Sequence, residues 1–365
     1  MNMNRIRYSL VCIMLLAFLA GCGKKEDNKP TQTETPIPTV IPTKTTAPSV
    51  AQTPKESAPA GMARSKLTNE WIPEEKTTTR PYAIMFNNIQ AAFPQSGTSQ
   101  AGILYECLVE GGITRLMGVF DNFDSDRIGS VRSARHYYVS IADEYDAIYV
   151  HYGQSKYTQA VLDKLDVDNL SGLTSIGSTV FYRDKNIKAP HNAFASYEGI
   201  IKGTKKLKYR TEYRENMTSH YKFFKEDTEL SNGSAANKVT IPFSKKFSPV
   251  FEYDATEKVY KRFQFDKSHI DANTKKQLAF KNLIIQFVEE STMDEKGRQD
   301  MNLSNAKGEG YYFTDGKYIK ITWVKNESKE SMTYYDESGN ELTVNTGKTY
   351  IGLFPAKNKD NIKIK

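Results

Sequence analysis

The chain has 365 residues, three cysteines and a formal net charge of +7. This charge excess is mild, so it indicates attraction to an anionic cell envelope rather than nucleic-acid binding. Cys12 falls in an N-terminal leader and Cys22 follows it directly, which leaves Cys107 alone. We therefore expect neither a disulfide framework nor a cysteine-based metal site.

The first 21 residues have the pattern of a secretory signal peptide. Arg5 and Arg7 give a positive start, and the apolar run from Leu10 to Ala20 is too short for a permanent membrane span. It ends in Leu-Ala-Gly-Cys at residues 19–22, where the Cys22 thiol suits lipid attachment. We expect a lipid on Cys22 that anchors the protein to the extracytoplasmic face of the cell membrane. An ordinary secretory signal with a chance cysteine is the alternative.

Residues 22–69 form a tract of Pro, Thr, Lys, Ser and Ala with almost no large apolar side chain. Such a tract cannot bury enough apolar surface to offset the entropy lost on ordering. It predicts a disordered tether, with folding beginning near Trp71.

Residues 70–215 alternate between predicted strands and predicted helices. The patterns indicate strands at 81–86, 114–120 and 147–151, helices at 131–145 and 157–165, and either type at 101–108. After a linker at 216–237, residues 238–357 carry short strands separated by turn signals such as Asp315-Gly316. The predicted fold class is α+β or α/β: a mixed α/β N-terminal domain followed by a β-rich C-terminal domain.

Three carboxylates are candidates for catalysis. Glu110 precedes Gly111-Gly112, and glycines leave open space around a side chain, as a general acid requires. Glu106 would share a face with Glu110 if this segment were helical, and Asp121 follows a predicted strand. Either could supply a second carboxylate. The alternative is that Glu110 is a surface residue in a turn.

Four arginines follow at positions 115, 127, 132 and 135. The last three surround a Gly-Ser turn before a predicted helix, where backbone N–H groups and guanidinium groups can hold a carboxylate or phosphate. A solvated helix face with ion pairs is the alternative. The segment lacks the Gly-Lys-Ser/Thr of a nucleotide-binding loop, so nucleotide hydrolysis is not predicted.

Histidines add further polar candidates. His151 ends a predicted strand, and His191 and Asn192 follow Pro190. Because no His-Glu-x-x-His spacing occurs, we expect no metal site, and we expect no cofactor. We expect six residues to converge on one concave site in the N-terminal domain: Glu110, Arg115, Arg132, Arg135, His151 and His191.

Four blocks carry a family resemblance: residues 80–81, 105–115, 128–135 and 189–192. From about residue 70 to residue 357 the chain resembles the YerB family of lipoproteins from Gram-positive bacteria. Ser130 departs from the family, where a proline is common, and so does Tyr152-Gly153, where a small residue tends to follow the histidine. The resemblance implies a two-domain envelope lipoprotein; the family's function is unknown, so it implies no catalytic residues.

Two functions stay open. In the first, Glu110 protonates a glycosidic oxygen of peptidoglycan, as in a lytic transglycosylase, or in a muramidase with Glu106 or Asp121 as the second carboxylate. In the second, the protein is a non-catalytic binding or scaffold lipoprotein that recognises an anionic wall fragment or a partner protein. A buried Glu110 with a raised pKa would favour the enzyme, and an exposed Glu110 without a cleft would favour the binding protein.

Overall fold

Residues 58–326 and 331–365 are described by the structure, a computed structural model. The predicted signal peptide, Cys22 and the tether to residue 57 lie outside these ranges. The fold begins earlier than predicted, because β1 (Met62–Arg64) pairs with β2 (Trp71–Pro73) and Leu67 between them is 2% exposed. The predicted tether, which runs to residue 69, therefore ends too late.

The α-helices of the described ranges are short and precede residue 207: α1 (Glu74–Thr77), α2 (His136–Glu144), α3 (Thr158–Leu165), α4 (Gly177–Val180) and α5 (Tyr197–Lys206). Within the same ranges, no helix is both long and apolar enough to cross a membrane. The strands among these helices are β3 (Tyr82–Asn87), β4 (Ile103–Leu108), β5 (Thr114–Phe120), β6 (Ile128–Gly129), β7 (Ile148–His151), β8 (Asn169–Ser171), β9 (Phe181–Arg183) and β10 (Ala193–Ala195).

After residue 207, the described residues form strands and one 3₁₀ helix (Ala356–Asn361). The strands are β11 (Lys222–Phe223), β12 (Ser234–Ala235), β13 (Lys238–Thr240), β14 (Val250–Asp254), β15 (Val259–Gln264), β16 (Lys267–Ser268), β17 (Ala279–Phe280), β18 (Asn282–Val288), β19 (Glu290–Thr292), β20 (Gln299–Met301), β21 (Ala306–Thr314), β22 (Lys317–Lys325), β23 (Thr333–Tyr335), β24 (Thr343–Val344), β25 (Thr349–Pro355) and β26 (Lys363–Ile364). The mixed α/β beginning and the strand-rich end agree with the predicted fold class.

One sheet runs through both parts of the sequence. Its order is β12-β22-β21-β18-β25-β4-β5-β3-β7-β8, with β23 beside β22. Strand β25 connects the two parts of the sheet, since it pairs in parallel with β18 on one side and with β4 on the other. All its residues are buried. No strand is predicted at 349–355, and so the sheet that unites the two predicted domains is not predicted either.

One local prediction is wrong, and one segment that could have been a helix or a strand is a strand. The helix predicted at 131–145 begins only at His136, because Arg135 has an extended backbone (φ −128°) and Val131 pairs with Phe86 as a β-bridge. The ambiguous segment 101–108 contains strand β4, so Glu106 and Glu110 do not share a helical face. The predicted linker at 216–237 also holds β11 and β12, which pair with β24 and β22.

Two buried ion pairs join the parts. Glu106 of β4 pairs with Arg262 of β15 over 2.7 Å, and Glu144 of α2 pairs with Lys325 of β22. All four side chains are fully buried. In each pair the carboxylate comes from the N-terminal part and the cation from the C-terminal part. The two parts therefore depend on each other for charge compensation.

Candidate functional site

The strongest cluster of sequence-predicted residues lies where β3 ends and β5 begins. Asn87 and Arg115 are directly paired there. The segment 130–135 crosses this edge, because the N–H of Asn87 donates to the carbonyl of Ser130 (2.9 Å) and the N–H of Arg132 donates to the carbonyl of Met85 (3.0 Å). This crossing brings Arg132 and Arg135 to Arg115. We call Arg115, Arg132 and Arg135 the arginine cluster.

Glu110 is the carboxylate of the arginine cluster. Nε of Arg135 donates to its Oε2 over 3.0 Å, and Nη2 of Arg135 donates to its Oε1. Glu110 begins a short turn in which Gly111 and Gly112 have φ of 70° and 65°, values that glycine adopts without strain. Burial alone would raise the pKa of Glu110, but the Arg135 guanidinium outweighs it and the pKa lies below its ordinary value.

Arg115 is the most deeply buried member of the cluster, at 2% exposure. Its Nη1 donates to the carbonyl of Ser133 over 2.9 Å. Burial, with the neighbouring Arg135 charge, lowers the pKa of Arg115 to about 9, so the guanidinium stays protonated at neutral pH in unfavourable surroundings. Burial and Arg135 also lower the pKa of Arg132, whose Nη1 donates to the carbonyl of Pro190 over 3.2 Å.

Two nitrogen atoms of the cluster are buried without a hydrogen-bond partner in the described parts of the chain: Nε of Arg115 and Nε of Arg132. Buried polar atoms are almost always hydrogen-bonded in native proteins, to protein, water or ligand. The cluster also directly precedes the N-terminus of α2, where Arg135 is the N-cap and the helix dipole adds positive potential.

Glu106 does not belong to this site. Arg115 pairs with Cys107 across β4 and β5, and successive side chains of a strand point to opposite faces, so Glu106 lies on the other face. There its oxygens accept hydrogen bonds from Asn88, Thr114, Arg262 and Tyr350. A fully buried and fully bonded carboxylate contributes to structure rather than to a reaction at the surface.

Asp121 is also separate from Glu110. It follows the far end of β5, about 20 Å from Arg115 at the usual rise of a strand. Its carboxylate accepts a hydrogen bond from Ser65, and burial raises its pKa. It lines a cavity of about 390 Å³ with residues of the 98–102 and 274–280 segments. The structure therefore does not bring the three catalytic candidates together.

The two histidines differ in their relation to the cluster. His151 is fully buried; its Nδ1 donates to the carbonyl of Gly153 (2.8 Å), and its Nε2 lies 3.2 Å from the side-chain amide of Asn169. Both ring nitrogen atoms of His151 therefore make contacts within the fold. His191 lies beside the cluster, because Asn87 Nδ2 donates to its Nδ1 (2.9 Å). Burial, and to a smaller extent the Arg132 charge, lower the pKa of His191.

The remaining candidates hold the loop at 184–192. Arg127 pairs with Asp184 over 2.7 Å and covers the Phe194 ring, and Asn192 accepts a hydrogen bond from Arg183 over 2.7 Å. Asn87 is not among the predicted site residues, because its contact with His191 depends on the long-range crossing of segment 130–135. Its position at a strand end was the available signal.

The arrangement favours an anion. Three guanidinium groups surround one carboxylate, and that carboxylate pairs with only one of them. Guanidinium groups bind carboxylate and phosphate oxygens with two parallel hydrogen bonds. In the described ranges, no group of three or more His, Cys, Asp or Glu side chains has an arrangement that could hold a metal ion.

Comparisons with known proteins identify relatives over most of the chain. The family model "Protein of unknown function (DUF3048) N-terminal domain" matches residues 67–210, and the corresponding C-terminal domain matches residues 239–351. "Putative lipoprotein YerB" of Bacillus subtilis (strain 168) is 31% identical over 307 residues, which are 82% of this chain and 89% of that protein. The crystal structure of YerB protein from Bacillus subtilis is similar with a TM-score of 0.74 and 29% identity, over 83% of this chain and 99% of that one.

Proposed function

Because this chain belongs to the YerB family, with both DUF3048 domains, we propose that it is a lipid-anchored envelope protein that binds an anionic group at the arginine cluster without cleaving its ligand. The observation that carries the proposal is the buried Arg115, held beside Arg132 and Arg135 with a single carboxylate for the three cations. A carboxylate or phosphate of the cell wall supplies the charge that this arrangement lacks.

The lipid anchor is supported by Leu-Ala-Gly-Cys at residues 19–22 and by the name of the relative from Bacillus subtilis. We expect that Cys22→Ser moves the protein from the membrane fraction to the soluble fraction, because no thiol remains for lipid attachment. The measurement is the distribution of the protein between the two fractions after cell breakage. A variant that stays with the membranes in high salt would show that another attachment dominates.

Binding is proposed in place of cleavage because of the state of Glu110. A general acid needs a carboxyl group whose pKa is raised towards neutral pH. Glu110 has the opposite shift, since Arg135 stabilises its charged form. Glu106 lies on the opposite face of the sheet and Asp121 follows the far end of β5, so neither can act as the partner of Glu110. Peptidoglycan cleavage stays a prediction from the sequence. The arginine cluster holds no carboxyl group with the raised pKa that a general acid needs.

Titration with inorganic phosphate tests the proposal. Hydrogen bonds to charged groups contribute about 1.5–3 kcal/mol, so Arg132→Gln should weaken phosphate binding by at least about tenfold. Arg127→Gln is the matched control, because Arg127 makes its ion pair with Asp184 outside the cluster. We expect the control to bind like the wild type in calorimetry. Equal losses in both variants, or no phosphate binding by the wild type, would contradict the proposal.

A further inference from the structure

Basic side chains continue from the arginine cluster over the neighbouring loop at 184–192. Arg132 contacts this loop at the carbonyl of Pro190, and Asn87 contacts it at His191. Lys185 and Lys188 are exposed on the loop, and Arg183 is exposed where the loop begins. The cluster and the loop therefore form one continuous surface.

A second basic segment borders the cluster on the C-terminal part of the chain. Gly112, in the turn that begins with Glu110, lies beside Ser244: a Cβ added at Gly112 would be 3.8 Å from the Ser244 Cβ. The next two residues, Lys245 and Lys246, are exposed. The arginine cluster thus has one pair of exposed lysines on the loop at 184–192 and another pair at 245–246.

The charges of this surface are poorly compensated. None of the four lysines forms an ion pair with another described residue, and neither do Arg115, Arg132 and Arg183. Carboxylates near this surface include Glu110, which pairs with Arg135, and Asp184, which pairs with Arg127. Asp126 lies near Tyr182. A single bound anion cannot neutralise charges that extend over two loops.

We infer that the ligand is a linear anionic polymer with repeated phosphate groups, one of which enters the arginine cluster while its neighbours contact the two lysine pairs. This inference rests on the proposed function, because the arginine cluster is its central contact. Repeated weak contacts along one chain raise the affinity by orders of magnitude over that of a single group. The lysines suit this role, because flexible point charges follow a polymer without fixed geometry.

The test compares inorganic phosphate with a short linear polyphosphate, titrated into the mature chain from residue 22 with Cys22→Ser. We expect the polymer to bind at least about tenfold more tightly than phosphate. Lys185→Gln/Lys188→Gln and Lys245→Gln/Lys246→Gln should each remove most of this advantage and leave phosphate binding unchanged. By analogy with single-stranded nucleic acids, the salt dependence of log affinity should become shallower by about 0.7 for each lysine lost.

Lys205→Gln/Lys208→Gln is the matched control. These lysines are exposed at the end of α5, near the start of β8 and so at the edge of the parallel strands opposite to the cluster. The control should bind the polymer like the wild type. Equal loss in the control, or a polymer no tighter than phosphate, would overturn the inference and leave the proposed function intact. Vesicles of phosphatidylglycerol that bind as tightly as the polymer would overturn it in favour of a lipid surface.

Discussion

Glu106→Gln and Arg262→Met should each lower the free energy of unfolding by about 3–5 kcal/mol, because each substitution leaves the partner charge buried and unpaired. Both side chains are fully buried, and their ion pair spans 2.7 Å between β4 and β15. The loss should be measured by denaturant unfolding. It should lower the thermal midpoint by roughly 6 °C or more, at 2–4 °C for each kcal/mol.

The control for this prediction is Glu252→Gln. Glu252 pairs with Lys238 over 2.7 Å, but both side chains are more than 40% exposed, so the loss should be no more than about 1 kcal/mol. A double variant, Glu106→Leu/Arg262→Met, should be more stable than either single variant, because it leaves no buried charge unpaired. If the single variants unfold like the wild type, this ion pair is not what joins the two parts.

Glu110→Gln should raise the affinity for inorganic phosphate by about tenfold, because it removes the carboxylate that occupies Arg135 and repels an incoming anion. The expectation is opposite to that for a catalytic acid, whose replacement abolishes the reaction. Calorimetric titration of the variant and the wild type measures the change.

Asp184→Asn is the matched control for this substitution. It also removes a carboxylate from an arginine, but from Arg127, outside the arginine cluster. It should leave phosphate binding unchanged. A Glu110→Gln variant that binds phosphate more weakly would show that Glu110 positions the arginines rather than competing with the ligand. Release of peptidoglycan fragments by the wild type, lost in Glu110→Gln, would restore the enzymatic alternative.

The elements predicted best are those whose signals are local. Strand β5 has the predicted bounds, Thr114–Phe120, and the Asp315-Gly316 signal marks the turn between β21 and β22. Strand β25 is not predicted, because its glycine and terminal proline interrupt the pattern of a buried strand and its pairing with β4 joins residues about 250 positions apart. Long-range pairings of this kind leave no periodicity in the sequence.

The same contrast between local signals and long-range pairings holds for the site. The arginines near the Gly-Ser turn are predicted from their residue types, but their convergence with Glu110 depends on how segment 130–135 crosses the strand ends. The sequence does not show the buried ion pair of Glu106, because its partner Arg262 lies 156 positions further along the chain. Whether a residue faces the arginine cluster or the opposite face depends on the register of its strand. A register shift of one residue moves every side chain of the strand to the other face.

The central claim, that the arginine cluster binds an anion, is tested most directly by a crystal structure of the mature chain from crystals grown with inorganic phosphate. We expect a phosphate within hydrogen-bond distance of the Arg115 or Arg132 guanidinium group, next to the N-terminus of α2. Phosphate bound elsewhere, with the Glu110–Arg135 pair unchanged and only water at the two arginine Nε atoms, would contradict it.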